Sequence, residues 1–261
     1  LAVRLENLPE SSRWYPGAGL YRNVHLIITE DAYIPVWGTY ITTPSVNEKF
    51  AKVNVRTKVV LPEGADPAKY SVETSVWNPN KQKLTAVRTS LAQMKYNNNQ
   101  AEQEFVIQAP SLWSPEMPAL YSAETRLYEG DKLKDIYTTP FGIRSIEIIP
   151  DKGFFLNGKR TVFKGVCNHH DLGPLGAAVN DAAIRRQIRI LKDMGCNAIR
   201  TSHNMPAPEL IRACDEMGMM IMAESFDEWN VAKCKNGYNL LFDEWAEKDL
   251  VNLLHNFRNN P

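Results

Sequence analysis

Polar and ionisable side chains follow three short apolar segments in the second half of the chain. They are His169, His170 and Asp171 after the first segment, His203 and Asn204 after the second, and Glu224, Asp227, Glu228 and Trp229 after the third. Arg200 lies inside the second segment beside Ala198 and Ile199. An unpaired charge would be costly there, so Arg200 needs a carboxylate partner or a substrate oxygen. Donors, acceptors and an aromatic plane together suit a hydroxyl-rich ligand such as a sugar.

The apolar segments are predicted to be β-strands over residues 161–168, 197–202 and 219–223. Between them, helical periodicity predicts helices over residues 181–194 and 206–217, and a third helix begins near Asp243. The first helix would bury Ile184, Ile188, Leu191 and Met194, and Gly195 and Gly218 occupy the expected helix C-caps. Strands that alternate with helices predict parallel βαβ units, and in a (β/α)₈ barrel the chemistry sits where such strands end. The three polar clusters should therefore share one face.

His169 and His170 are adjacent, so in an extended strand their side chains point to opposite sides. This spacing disfavours a metal site built from both histidines, and a histidine that only packs is an equally good interpretation of either one. The four cysteines (Cys167, Cys196, Cys214 and Cys234) show no metal-finger spacing. We interpret them as reduced and structural.

Composition excludes several classes of protein. The 261 residues are 44% apolar and 23% charged, with 30 basic and 30 acidic residues that cancel. This balance gives no electrostatic basis for binding nucleic acid or a membrane surface, and no apolar run approaches the roughly 18 residues that span a bilayer. The chain begins at Leu1 with no signal stretch, which says little about the compartment because the chain is expected to begin within a longer protein. We expect a soluble protein whose compartment stays open between cytoplasm and periplasm or secretion, and homo-oligomerisation stays open too.

Two β regions precede the βα units. Residues 1–34 are interpreted as the end of a larger β domain, with one strand at residues 21–29 and with Trp14 and Tyr15 packing rather than stacking on a sugar. Residues 35–147 are predicted to form an immunoglobulin-like β-sandwich that acts as a spacer. Its predicted strands are 51–61, 70–77, 84–91, 103–108, 120–128 and 136–141, separated by turn clusters such as Asn97–Asn99.

Residues 148–261 are predicted to be the N-terminal part of a (β/α)₈ TIM barrel. Phe154 to Arg160 carries a hairpin signal, because Asn157-Gly158 suits a type I′ turn. The three βα units follow it, whereas a complete barrel needs about 250 residues. The predicted fold class is thus multidomain β plus α/β, a sandwich followed by an incomplete barrel.

Several segments resemble glycoside hydrolase family 2, especially its β-galactosidases. They are NGKRTVFKGVCNHHD, LKDMGCNAIRTSH, PELIRACDEMGMMIMAESFDEW and, near the start, SRWYPGAGLYRNVHL. The core Asn197 to His203 resembles the signature segment of that family. The resemblance implies a jelly-roll domain ending near residue 34, an immunoglobulin-like domain and a catalytic barrel. One departure is that Asn204-Met205-Pro206 inserts a residue where most members have Tyr-Pro after the histidine, so the loop shape is not carried over.

By resemblance, His169, Arg200 and His203 match positions that line the pocket for the terminal sugar. We add Asn204, Glu224 and Trp229 as substrate-binding candidates from the chemistry of their side chains. Some members place a Mg²⁺ ligand near the third cluster, and Asp227 is the best candidate for it. No cofactor is otherwise implied.

The resemblance implies retaining hydrolysis of terminal β-galactosides by two glutamates from strands 4 and 7. Both are expected beyond Pro261, so residues 1–261 alone are expected to be inactive. Two alternatives stay open: a β-glucuronidase or β-mannosidase of the same family, and a non-catalytic carbohydrate-binding or adhesion module. A glucuronidase would need a cationic or Asn/Lys pair for the substrate carboxylate, and the three strands show no such pair.

Overall fold

A computed structural model describes residues 2–13, 19–93 and 100–261. The chain divides into two units. The β unit comprises Leu26–Val162, Asp215–Gly218 and Arg258–Pro261, and the α/β unit comprises Leu1–His25, Phe163–Cys214 and Met219–Phe257. This division places the predicted hairpin with the β unit and the first residues of the chain with the α/β unit. The boundaries 34/35 and 147/148 stay predictions. Trp14, Tyr15 and the turn at Asn97–Asn99 lie outside the described residues.

Within the described part of the β unit, seven antiparallel strands form the predicted sandwich. They are β1 (Thr39–Val46), β2 (Phe50–Lys58), β3 (Tyr70–Trp77), β4 (Lys83–Ser90), β5 (Gln100–Gln108), β6 (Leu120–Glu129) and β7 (Lys132–Gly142). One sheet has the order β1-β2-β5 and the other the order β4-β3-β6-β7. Alternation along β2 buries Val53 and Val55, which pack with Val76 and Phe141 of the second sheet. The facing apolar residues hold the two sheets together, and all four cysteines are free.

The predicted hairpin is confirmed. β8 (Ile146–Ile149), β9 (Gly153–Leu156) and β10 (Lys159–Arg160) form a three-stranded antiparallel sheet in that order along the chain. Asn157 and Gly158 connect β9 to β10 with φ values of +52° and +75°. Two successive positive φ values are what a type I′ turn requires, and asparagine and glycine tolerate them best.

The described part of the α/β unit contains three parallel strands and three helices, the last three residues of the second helix belonging to the β unit. They are β11 (Gly165–Asn168), α1 (Asp181–Asp193), β12 (Ala198–Thr201), α2 (Pro208–Met217), β13 (Met220–Met222) and α3 (Phe242–Phe257). The sheet order β11-β12-β13 follows the sequence, as successive βα units in a barrel do. Gly165 allows β11 to approach β12, because a Cβ there would collide with the carbonyl of Ala198. No helix in the described ranges is long and apolar enough to cross a membrane.

Four predictions of elements need correction. Residues 21–29 form no strand, since no neighbouring strand pairs with them within the described chain, and Leu26 and Ile28 are exposed. The first barrel strand begins at Gly165 instead of residue 161. Met194 is exposed because it is the C-cap of α1 rather than part of its buried face, which Ile184, Ile188 and Leu191 form. β1 was not among the predicted strands.

Candidate functional site

The C-terminal ends of β11, β12 and β13 lie side by side. In the parallel register, Cys167 of β11 is opposite Arg200 of β12, which is opposite Met222 of β13. Each strand ends at or one residue after these positions, so the side chains that follow share one edge of the sheet. The prediction that three polar clusters meet at one face is therefore confirmed.

Arg200 has the carboxylate partner that the sequence predicted. Its Nε donates to Oε1 of Glu224, and the backbone N–H of Glu224 donates to Oγ1 of Thr201 at 3.1 Å. A hydrogen bond to Sγ of Cys167 and the contact with Glu224 raise the pKa of Arg200, so its guanidinium stays positively charged. Glu224 thus joins the ends of β12 and β13 in two ways. Its carboxylate pairs with Arg200, and its backbone N–H bonds to the side chain of Thr201.

His203 completes this cluster. Its Nδ1 lies 2.8 Å from Oε2 of Glu224 and 3.3 Å from Nη2 of Arg200. A guanidinium only donates and a carboxylate only accepts, so the shorter contact assigns a proton to Nδ1. Nε2 is then the ring nitrogen that faces away from Glu224, 3.9 Å from Oδ1 of Asp227. The Ser202–His203 peptide bond is cis.

The two adjacent histidines have different neighbours, as their spacing predicts. The ring of His169 meets the ring of His203 edge to face, with centroids 5.5 Å apart. The ring of His170 stacks on Tyr21 at 5.8 Å. Burial, and then the charge of Arg22, lower the pKa of His170, which favours its neutral form. His169 therefore belongs to the polar cluster, and His170 packs beside it.

Asp227 is surrounded by cations. Oδ1 lies 3.1 Å from Nη2 of Arg13 and 3.4 Å from Nζ of Lys233. Burial alone would raise the pKa of Asp227, but the hydrogen bond from Arg13 and the charge of Lys233 outweigh it and lower the pKa. No group of three suitable ligands lies among the described residues. A carboxylate that already contacts a guanidinium and an ammonium group does not fit a divalent cation, so Asp227 does not suit Mg²⁺.

Glu228 is the most buried member of the third cluster, with 4% of its surface exposed. Its carboxylate accepts from the backbone N–H of Lys233, from that of Cys234 at 3.4 Å and from that of Asn239 at 3.3 Å. Burial alone would raise the pKa of Glu228, but these bonds and a further one from Tyr238 outweigh it and lower the pKa. Glu228 is therefore an ionised, internally satisfied carboxylate.

Two family models match the chain. One is described as Glycosyl hydrolases family 2 and matches residues 33–144, and the other as Glycosyl hydrolases family 2, TIM barrel domain, and matches residues 147–252. The chain belongs to glycosyl hydrolase family 2. The second match confirms that β11 to β13 are the start of a TIM barrel.

Individual relatives agree with the family. BoGH2A, a β-galactosidase of Bacteroides ovatus, is 43% identical over the whole chain, and a putative β-glucuronidase of Formosa agariphila is 35% identical over the whole chain. The chain covers 31% of the first protein and 24% of the second. A solved structure of a glycosyl hydrolase family 2 member from Bacteroides cellulosilyticus matches with a TM-score of 0.88 and 36% sequence identity. The match covers 96% of this chain and 32% of the chain in that structure.

The two remaining candidates, which were chosen from the chemistry of their side chains, are exposed in the α/β unit. Asn204 is exposed beside a cavity of about 400 Å³. That cavity is also lined by Tyr21, Arg22, Ser225 and Asp227, among others. Trp229 is 65% exposed and offers a free aromatic face. Both residues are placed where a sugar could reach them, and their roles as sugar ligands stay predictions.

Sequence reasoning missed two residues of the N-terminal segment that hold the loop after β12 and the start of α2. Nη2 of Arg22 donates to the carbonyl of Met205 at 2.5 Å, and Nδ2 of Asn23 donates to Oε1 of Glu209 at 2.5 Å. The first contact holds the loop that carries Asn204, and the second holds the first turn of α2, which follows that loop. No local pattern marks them, because the partners are more than 180 residues apart.

Proposed function

We propose that this chain contributes part of the terminal-sugar pocket of a retaining β-galactosidase. The observation that carries the proposal is the network of Arg200, Glu224 and His203 at the ends of β12 and β13, with His169 at the end of β11 beside it. It presents Nε2 of His203 and the ring of His169 beside exposed Asn204. Hydroxyl groups of a sugar need such fixed donors and acceptors at one face. The whole-chain identity to a β-galactosidase of the same family supports galactose as the sugar.

The two catalytic carboxyl groups are proposed to come from other strands of the barrel, because the carboxylates of this cluster are already engaged. Glu224 uses one oxygen for Arg200 and the other for His203. Asp227 is paired with Arg13 and Lys233, and Glu228 is enclosed by backbone amides. Retaining hydrolysis needs an acid and a nucleophile about 5–5.5 Å apart on either side of the glycosidic bond. The residues described here bind and orient the sugar for that pair.

A β-glucuronidase is the second candidate, because a putative enzyme of that name is 35% identical over the whole chain. Of the cations near this cluster outside β12, Arg22 donates to the carbonyl of Met205, and Arg13 and Lys233 both already contact Asp227. A uronic acid carboxylate would have to compete with Asp227 for them. This arrangement favours an uncharged sugar.

The test is to assay the full-length enzyme on 4-nitrophenyl β-D-galactoside, β-D-glucuronide and β-D-mannoside. We expect kcat/KM for the galactoside to exceed the others by about 100-fold, since discrimination by polar contacts reaches that size. Proton NMR of the first-formed sugar should show the β-anomer. A preference for the glucuronide would replace the proposed sugar, and an α-anomer would rule out the retaining mechanism.

A further inference from the structure

We propose that Glu228 is a positioning residue, which holds residues 229–239 of the connection between β13 and α3 (the β13–α3 loop) in the shape that presents Trp229 and Lys233 to the sugar-binding face. The anchoring part of this inference rests on geometry alone. Its effect on sugar binding rests on the proposed function.

The anchor works because the carboxylate accepts from backbone groups at separated points of the loop. One oxygen receives the N–H groups of Lys233 and Cys234, and the other receives the N–H of Asn239. Hydrogen bonds to an ionised acceptor are stronger than those between neutral groups. A single buried side chain therefore ties the middle of the loop to its end.

Gly237 shows that the loop is built closely around this carboxylate. It is buried, with φ −83° and ψ 178°, a conformation that any residue adopts. A Cβ at Gly237 would nevertheless collide with both oxygens of Glu228. The absence of a side chain at this position is thus required by the close approach of Glu228 and not by backbone conformation.

The anchored loop reaches the polar cluster through Lys233. Its Nζ donates to the backbone carbonyl of Asp227 at 2.5 Å and lies 3.4 Å from Oδ1 of the same residue. Oδ1 of Asp227 is in turn 3.9 Å from Nε2 of His203. If the backbone of Lys233 were released, the ammonium group that balances Asp227 beside His203 would be released with it.

Aromatic packing supports the same loop but does not replace the anchor. Phe226 stacks on Tyr238 at 5.3 Å, and both rings meet Phe242 edge to face. These contacts lie at the two ends of the loop. Residues 229–235 between them are largely exposed, so in that stretch the bonds to Glu228 at Lys233 and Cys234 are the ones that fix the backbone.

Limited proteolysis of the native chain tests the anchor directly, because Lys233 and Lys235 are exposed tryptic sites inside the loop. In Glu228→Gln, one oxygen becomes an NH₂ group that faces backbone donors. We expect cleavage after Lys233 and Lys235 to become at least about tenfold faster, as local opening exposes the backbone. Glu244→Gln, which changes an exposed glutamate on α3, should be cleaved like the wild type. Unchanged cleavage in Glu228→Gln would overturn the inference, and so would cleavage spread evenly along the chain.

A double-mutant cycle provides the second test. Gly237→Ala alone should accelerate cleavage in the loop, since the new Cβ meets the carboxylate. Glu228→Ala removes the carboxylate and makes room for that Cβ, so adding Gly237→Ala to Glu228→Ala should accelerate cleavage little further. Such non-additivity is the signature of direct contact. Additive effects would show that the two positions do not act on each other and would refute the anchor.

Kinetics of the full-length enzyme on 4-nitrophenyl β-D-galactoside connect the anchor to sugar binding. Glu228→Gln should raise KM about fivefold or more while kcat stays within about threefold, because the loop binds sugar and supplies neither acid nor nucleophile. An unchanged KM, or a loss confined to kcat, would contradict the positioning role. An inactive wild type would instead refute the proposed function and leave the proteolysis tests of the anchor standing.

Discussion

Asp215 should make the stability of the β unit depend on pH. The residue is 7% exposed and accepts a hydrogen bond from Nδ2 of Asn260. Burial raises the pKa of Asp215 from 3.8 to about 7, although Asn260 and the charge of Arg144 lower it, and Glu216 adds to the rise. Asp215→Asn keeps the shape and an oxygen that can accept from Asn260, but removes the titration.

The magnitude follows from the two pKa values. At pH values between the two, Asp215 holds a proton in the folded state that it has released in the unfolded state. The free energy of unfolding therefore falls as pH rises through this range. About three pKa units at 1.36 kcal/mol each set a ceiling of about 4 kcal/mol. Raising the pH from 5 to 8 should lower the free energy of unfolding by about 2.5 kcal/mol of this total.

Urea unfolding at pH 5 and pH 8, followed by tryptophan fluorescence, measures this difference. Trp113 is a suitable probe, because its buried indole N–H donates to the backbone carbonyl of Asp215 at 2.9 Å. The wild type should lose about 2.5 kcal/mol more than Asp215→Asn over this range. Asp131→Asn, at an exposed turn between β6 and β7, is the control and should behave like the wild type. Parallel losses in the wild type and Asp215→Asn would refute the reasoning.

Three further predictions concern the sugar site. Arg200→Ala in the full-length enzyme leaves Glu224 without its cation and should lower kcat/KM by about tenfold or more, and wild-type kinetics would remove Arg200 from the site. His169→Ala and His203→Ala should each weaken galactose binding, seen by isothermal titration, while both limbs of the pH–rate profile stay in place because carboxyl groups set them. A lost limb would make that histidine an acid or base. Residues 1–261 alone should not hydrolyse an aryl β-galactoside, and turnover within about tenfold of the full-length enzyme would place the catalytic pair inside this chain.

Elements with strong local signals were predictable from sequence. The hairpin follows from Asn157-Gly158, whose positive φ values a type I′ turn demands. β1 was missed because its sequence, TYITTPSV, does not alternate apolar and polar residues and contains Pro44. It is an edge strand with a register shift between Thr42 and Ser45, which is where a proline is tolerated.

The sequence predicted which residues belong to the site better than it predicted which groups they contact. Arg200 lies in a predicted strand with an apolar, buried pattern, where an unpaired charge is costly. A carboxylate partner could therefore be inferred for it. The backbone donors around Glu228 could not, because each backbone N–H is the same whatever its residue type and only the folded loop brings them together. Arg13 and Arg22 were missed for a related reason, since their partners are about 200 residues away in sequence.

The contacts of the N-terminal segment affect the order in which the chain can fold during synthesis. Arg13 binds Asp227, 214 residues later, and the carbonyl of Pro9 accepts from Asn236, 227 residues later. At about 5–20 residues per second, the ribosome needs roughly ten to forty seconds to deliver these partners. The strands β1 to β10 lie in one continuous stretch between them and can pair during that interval. Until then Pro9 and Arg13 lack these two contacts, whereas Tyr21 can already stack on His170 and Arg22 can already bond to Met205, so the segment docks in stages, from its later residues to its earlier ones.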